Sequence, residues 1–192
     1  TAALEDLELQ YDAVEEARIY NAIGWVHSKK GEFEPAIEKG MEALNLVRDT
    51  IAYDVIAEID KNLGAYYLTR GQFDQANEYF QSGIKRARQI GDKMLEAQLY
   101  NNIGVMGLRA GQNDVAIENY QKSIEIKEQL GYVIGLTKSY INLGMIYSRM
   151  EAFDKTLEYY HRALTMARRT GAQEDAASVL LSMGTLYLRQ KD

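Results

Sequence analysis

The sequence repeats itself every forty residues, and this period constrains the fold more than any other feature. A glycine preceded by an apolar residue recurs at the same point of five successive segments, as in YNNIG at residues 100–104 and YINLG at residues 140–144. The five glycines are Gly24, Gly64, Gly104, Gly144 and Gly184. A period of about 20–50 residues is typical of stacked copies of one supersecondary unit. The chain is therefore expected to be a repeat protein.

Each unit has the apolar spacing of two α-helices. In the third unit, Tyr100, Ile103 and Leu108 share one helical face, and Tyr120 and Ile124 continue the spacing after a Gly-Gln turn. The chain has one proline in 192 residues, which suits helices joined by short glycine turns. Each unit is therefore predicted to be a first helix, a turn and a second helix.

Glycine has two roles in this pattern. Gly91, Gly131 and Gly171 follow the second helices, where a left-handed C-cap is expected. The recurring glycine inside each first helix costs about 1 kcal/mol relative to alanine. We expect the second helix to approach it so closely that a side chain would hold the two backbones apart.

The repeats predict an all-α fold in which residues 1–192 form a single array. We interpret residues 1–10 as the tail of a preceding second helix, place repeat starts near residues 13, 53, 93 and 133, and interpret residues 173–192 as an unpaired first helix. This gives ten helices cut from a longer array. The last helix is expected to expose Leu180, Met183, Leu186 and Tyr187, which would favour end-to-end association.

Composition excludes several classes of function. A net charge of −6 and no cysteine argue against nucleic-acid or anionic-membrane binding and against thiolate chemistry. No apolar run is long enough for a membrane span. His27 and His161 lie in different repeats without the spacing of a catalytic or metal site, and no glycine-rich phosphate loop is present. We therefore predict no enzyme activity, metal, cofactor, nucleic acid or membrane partner, and a cytoplasmic location.

The conserved offsets around the glycine resemble those of the tetratricopeptide repeat. Repeat three carries the pattern in Tyr100, Ile103, Gly104, Ala116 and Tyr120. The forty-residue period and the sequence Asn-Leu-Gly at 142–144 resemble the longer subclass found in kinesin light chains, Leu-Gly-Asn repeat proteins and bacterial regulators. This resemblance implies a right-handed superhelical α-solenoid of helix-turn-helix hairpins.

Four positions depart from the family pattern. Gly40 replaces the second-helix aromatic residue of repeat one, His27 and Gly107 replace a tyrosine, and Thr156 replaces an alanine. These departures affect local packing rather than the fold.

The resemblance also implies a binding groove, because first helices line the concave side of such a solenoid. The thirty groove-facing positions carry a net charge of +6, from seven basic residues and one acidic residue, Glu58. The candidate binding residues at these positions are Arg18, Asn21, Trp25, Lys29, Lys61, Asn62, Asn101, Asn102, Arg109, Lys138, Asn142, Arg149 and Arg189.

A basic groove in an acidic chain favours a protein or peptide ligand with acidic or carboxylate groups. Asn62, Asn102 and Asn142 could bind a peptide backbone or could instead bond to neighbouring helices. The basic residues could be ordinary solvated charge, and Trp25 could be an anchor or a space-filler. We expect an interaction module of a larger scaffold or sensor protein; the alternative is a structural array that self-associates.

Overall fold

The computed structural model describes residues 2–133 and 135–190, with side chains described from residue 11 onward. These residues form α-helices and short turns and contain no β-strand. In chain order the helices are α1 (Ala2–Lys29), α2 (Phe33–Val47), α3 (Tyr53–Thr69), α4 (Phe73–Ile90), α5 (Lys93–Arg109), α6 (Asn113–Gln129), α7 (Leu136–Arg149), α8 (Phe153–Thr170) and α9 (Gln173–Arg189). Odd-numbered helices are the first helices of the repeats, and even-numbered helices are the second.

Contacts divide the chain into two units, Thr1–Met106 and Gly107–Asp192, with the boundary inside α5. In the first unit, α1 packs on α2, α2 on α3, and α3 on α4, while α1 also touches α3. In the second unit, α6 packs on α7, α7 on α8, and α8 on α9, while α7 also touches α9. Within each unit, successive helices therefore pack as antiparallel hairpins whose first helices lie side by side.

The glycines after the second helices have the left-handed backbone that the sequence predicts. The φ angles of Gly91, Gly131 and Gly171 are 73°, 65° and 71°. Tyr11 occupies the corresponding position before Gly24, and α1 runs through it without a break. The expectation that residues 1–10 belong to a separate helix is therefore wrong. The physical reason is that a side chain disfavours the left-handed conformation that Gly91, Gly131 and Gly171 adopt after their helices.

Close approach explains the first-helix glycines of repeats one, two and four, as predicted, whereas Gly184 has open space where its side chain would begin. A Cβ atom added to Gly64 would overlap the ring of Phe80, and one added to Gly144 would overlap the ring of Tyr160. In repeat one it is the second helix that carries a glycine against a large side chain of a first helix. A Cβ atom added to Gly40 on α2 would lie 2.6 Å from Cδ2 of Leu63 on α3. The missing aromatic ring of repeat one is thus compensated by a leucine of the next first helix.

Helix α9 exposes only part of its apolar surface. Met183 and Leu186 are buried, contrary to expectation, whereas Leu180 and Tyr187 are 50% and 46% exposed. Val179, Met183 and Leu186 fall on one helical face, the face buried where α9 meets α7 and α8. Leu180 and Tyr187 lie on a different face with Gly184, whose added Cβ would meet no atom within 4 Å.

Asp60 is a buried charged residue where three other repeats have tyrosine. Its side chain lies on α3, with carboxylate Oδ2 3.3 Å from Nη1 of Arg86. Burial raises the pKa of Asp60 to about 6, although Ser82 and Arg86 favour the charged form. The folded chain therefore binds a proton at the Asp60 carboxylate more tightly than the unfolded chain does.

Substituting Asp60→Asn is expected to flatten the pH dependence of stability. Because the folded-state pKa is raised, Asp60 lowers the free energy of unfolding as pH rises from about 4 to about 6. Between pH 4.5 and 7 the wild type should lose about 2 kcal/mol more than the variant. Urea unfolding at both pH values measures this difference, with the exposed Asp74→Asn as control. A variant that follows the wild-type pH profile would contradict the assignment.

Candidate functional site

The thirteen candidate binding residues all lie on first helices, and each keeps at least part of its side chain accessible. None of them belongs to the buried core. Their helical periodicity places them away from the apolar faces that pack against the second helices.

In the first unit, α1 and α3 together form a shallow cleft of about 350 Å³. Trp25 lines this cleft and is 50% exposed. The ammonium of Lys29 lies 5.1 Å from the centroid of the Trp25 ring, within the range of a cation–π contact. The residues that line the cleft are Arg18, Asn21, Ala22, Trp25, Val55, Glu58 and Asn62.

Two of the three repeated asparagines bond to a neighbouring helix. Asn62 on α3 donates through Nδ2 to Oδ1 of Asn21 on α1, at 2.9 Å. Asn142 on α7 donates through Nδ2 to the hydroxyl of Tyr120 on α6, at 3.0 Å. Burial raises the pKa of Tyr120 to about 12, against the effect of the Asn142 bond, so this phenol is neutral and can accept the amide. Asn62 and Asn142 therefore help to hold adjacent helices together.

Asn102 differs because the sequence gives it no equivalent hydroxyl. The aromatic residue sixteen after the repeat glycine is Tyr120 in repeat three and Tyr160 in repeat four, but Phe80 in repeat two. Tyr160 forms a side-chain hydrogen bond with Ser182, the counterpart of the asparagines in repeat five. The Asn102 amide, which is partly exposed, has no side-chain hydrogen bond to any residue that the structure describes.

The basic residues are not all available to a ligand. Arg18 pairs with Asp54 at 2.9 Å and with Glu15 at 3.5 Å. Lys61 pairs with Glu58 at 2.5 Å and also donates to Oε1 of Gln98 at 3.3 Å. Within the described residues these two cations therefore already have counter-charges. Arg18 and Lys61 therefore contribute less to the positive charge of the predicted groove than their number suggests.

Four further candidate residues differ from Arg18 and Lys61 in their neighbours. Lys138 and Arg149 on α7 are exposed and form no salt bridge with a carboxylate of residues 11–133 or 135–190. Asn101 and Arg109 interact with neighbouring groups. The cations best placed to meet a ligand are thus Lys138, Arg149 and the likewise exposed Arg189, together with Lys29 beside Trp25.

In the second unit, Arg149 and Arg189 line a cleft of about 570 Å³ between α7, α8 and α9. Phe153, Thr156 and Leu186 form part of its wall. Sequence reasoning did not assign these three residues to a site, because their repeat positions indicate packing. Lys138 lines a separate cleft of about 350 Å³ with Asp175.

The histidines and carboxylates do not form a metal site in the part of the chain with described side chains. His27 contacts Glu32 across the α1–α2 turn, with Nδ1 2.5 Å from Oε2, and His161 lies on the exposed side of α8. None of the described helices is both long enough and apolar enough to cross a lipid bilayer.

Several solved structures share this architecture. The chain is similar to aspartyl phosphate phosphatase F from Bacillus subtilis, with a TM-score of 0.82 and 17% identity over 86% of this chain and 44% of that one. The apo form of RapI gives a TM-score of 0.83 and 16% identity over 91% and 64%. A Rap protein complexed with competence and sporulation factor gives 0.78 and 17% over 86% and 46%. At these identities the likeness shows the fold alone, and this chain spans less than two thirds of each protein.

Family comparison assigns almost the whole chain. No curated protein sequence matches it significantly. Models described as tetratricopeptide repeat match residues 17–46, 55–129 and 136–192. With the helix-turn-helix hairpins and the glycine–aromatic packing described above, these matches show that the chain belongs to the tetratricopeptide repeat family.

Proposed function

We propose that this chain is a protein-interaction module that binds a peptide segment of a partner protein along its first helices. It would act as the scaffold or sensor part of a larger protein. The observation that carries the proposal is the cleft between α1 and α3, where the half-exposed Trp25 lies beside the amide pair Asn21–Asn62. A large aromatic ring next to polar groups is typical of an interaction hot spot.

The amide of Asn102 supports the same function. A primary amide offers both donors and an acceptor, so it can bond to a peptide backbone without selecting side chains. Phe80 has no hydroxyl, so it cannot accept a hydrogen bond from Asn102 as Tyr120 does from Asn142. Asn102 is therefore the repeated asparagine best suited to a ligand, while Asn62 bonds α3 to α1 and Asn142 bonds α7 to α6.

The expected partner is acidic, but charge is a smaller part of the attraction than the sequence suggested. Arg18 and Lys61 already have counter-ions. The cations left for a carboxylate are therefore Lys29, Lys138, Arg149 and Arg189. Exposed charge pairs of this kind contribute about 0–1 kcal/mol each and weaken with salt. Apolar contact with Trp25 and amide hydrogen bonds would supply the rest.

The solved structures are compatible with this function without assigning it. One Rap protein of the same fold is complexed with competence and sporulation factor. Another relative in fold is named a phosphatase. Because no catalytic arrangement of histidine, serine or carboxylate is found among the candidate residues, we infer that binding, not catalysis, is the role of this chain.

Substituting Trp25→Ala or Asn102→Ala is expected to weaken peptide binding. Peptides selected from a displayed library against the wild type would serve as probes, with affinity measured by calorimetry. Each variant should lose about tenfold, since a buried hydrogen bond or aromatic contact is worth about 1–2 kcal/mol. Tyr11→Ala and Asn45→Ala, an exposed aromatic residue and an exposed asparagine outside the predicted groove, should bind like the wild type. Unchanged affinity in both groove variants would contradict the proposal.

A second candidate function is self-association through α9. Leu180 is half exposed on the free face of this helix, Tyr187 is partly exposed although its ring also packs edge-to-face on Phe153 at 5.8 Å, and Gly184 between them has open space above it. Leu181 and Leu188 add further exposed apolar surface, at 74% and 69%. Contiguous apolar surface of this kind is typical of an interaction site.

Light scattering tests this second function. The wild type should gain mass as concentration rises, and Leu180→Glu should remain monomeric because it places a charge on the free face. Leu130→Glu, at an exposed leucine after α6, should behave like the wild type. A wild type that stays monomeric at every concentration would exclude self-association.

A further inference from the structure

Lys127 on α6 occupies a position that is apolar in every other repeat. The corresponding residues are Val47, Ala87 and Ala167, and all three are buried at 0–1% exposure. Lys127 is only 5% exposed. Lysine is seldom buried to this extent without a partner, because its ammonium loses hydration. This position therefore breaks the packing rule that the other repeats follow.

The Lys127 ammonium has no counter-charge in the described structure. It forms no hydrogen bond or salt bridge with any residue whose side chain is described. Burial lowers the pKa of Lys127, as expected for an ammonium that no anion stabilises. An anion close to the Lys127 ammonium would stabilise its charged form and so oppose the lowering of its pKa by burial.

A small cleft of about 190 Å³ lies directly at Lys127. Its apolar wall includes Leu136 and Met166, and its polar groups include Arg169 and Glu128. The hydroxyl of Tyr140 donates to Oε1 of Glu128, which engages that carboxylate. Lys127, Arg169 and Glu128 together give the cleft a net charge of about +1 when all three are ionised.

We propose that this cleft binds a carboxylate carried on a short apolar stem, with Lys127 as the buried counter-charge and Arg169 as a second, exposed cation. A net charge near +1 matches a monoanion better than a phosphate dianion. The volume is below the roughly 300 Å³ of a drug-sized pocket, so it suits a ligand of a few heavy atoms. Leu136 and Met166 would contact the stem.

This site is distinct from the predicted groove. None of the cleft residues is among the candidate groove residues, and Lys127 and Arg169 belong to second helices. The same carboxylate chemistry could come from a free short-chain acid or from a glutamate side chain of a partner. Both sources present a carboxylate on an apolar stem of two or three carbons.

Binding can be measured with butyrate and with a capped pentapeptide containing one central glutamate. Each probe is titrated at constant ionic strength while the NMR signal of the Lys127 side-chain ε-methylene and the melting temperature are followed. We expect saturable shifts of the Lys127 signal and a rise in melting temperature with at least one probe. Saturation by butyrate alone assigns a free acid, and saturation by the peptide alone assigns a partner side chain.

Two variants separate binding from folding. Lys127→Ala installs the residue that two other repeats have at this position, and Lys127→Met keeps the length of the stem. Both should melt at a higher temperature than the wild type and bind the probe at least about tenfold more weakly. Lys85→Ala, at an exposed lysine of α4, should respond like the wild type. If neither probe binds the wild type, or all variants respond equally, the proposal is wrong.

Discussion

The close contact between a first-helix glycine and an aromatic ring on the following second helix, seen in repeats two and four, is the constraint on which the rest of the structure depends. At Gly64 and Gly144 the rings of Phe80 and Tyr160 occupy the space where a side chain would begin. Because the two helices pack closely at the glycine, the glycine-bearing face of the first helix is the one that is buried. The opposite face is then free to carry asparagines, cations and Trp25.

Function in a repeat protein depends on where one repeat differs from the others. Phe80 in place of tyrosine leaves the amide of Asn102 without the bond that Asn142 makes to Tyr120. Lys127 in place of alanine or valine puts an ammonium where the other repeats are apolar. The Lys127 exception has a cost in hydration and lies at a cleft, whereas the Phe80 exception leaves the Asn102 amide without that hydrogen bond on a partly exposed helix face.

The sequence predicted the helical hairpins, the close approach at the glycines and the left-handed C-caps, because each follows from local spacing or backbone geometry. It failed at both ends of the chain. Tyr11 does not end a helix as glycine does, and the spacing within α9 did not reveal which apolar residues face α7 and α8. The sequence also left the role of the asparagines open. The residue that distinguishes them is the aromatic one on the preceding second helix, which is Phe80 before Asn102 and Tyr120 before Asn142.

Pairing of charges between different helices could not be predicted from spacing. Arg18 meets Asp54 thirty-six residues away, and such a contact depends on how two helices are placed side by side. The same is true of the clefts, whose walls combine residues of several helices. Candidate residues could thus be named from the repeat, but their availability to a ligand could be judged only in three dimensions.

The most direct test of this account compares Gly144→Ala with Gly184→Ala by denaturant unfolding. Both changes gain up to about 1 kcal/mol of helix propensity. Only Gly144→Ala must displace an aromatic ring, since Gly184 has no atom near its added Cβ. Overpacking should therefore make Gly144→Ala less stable than Gly184→Ala by about 1–3 kcal/mol. Equal stability of the two variants would contradict the claim that glycine–aromatic contact sets the helix packing.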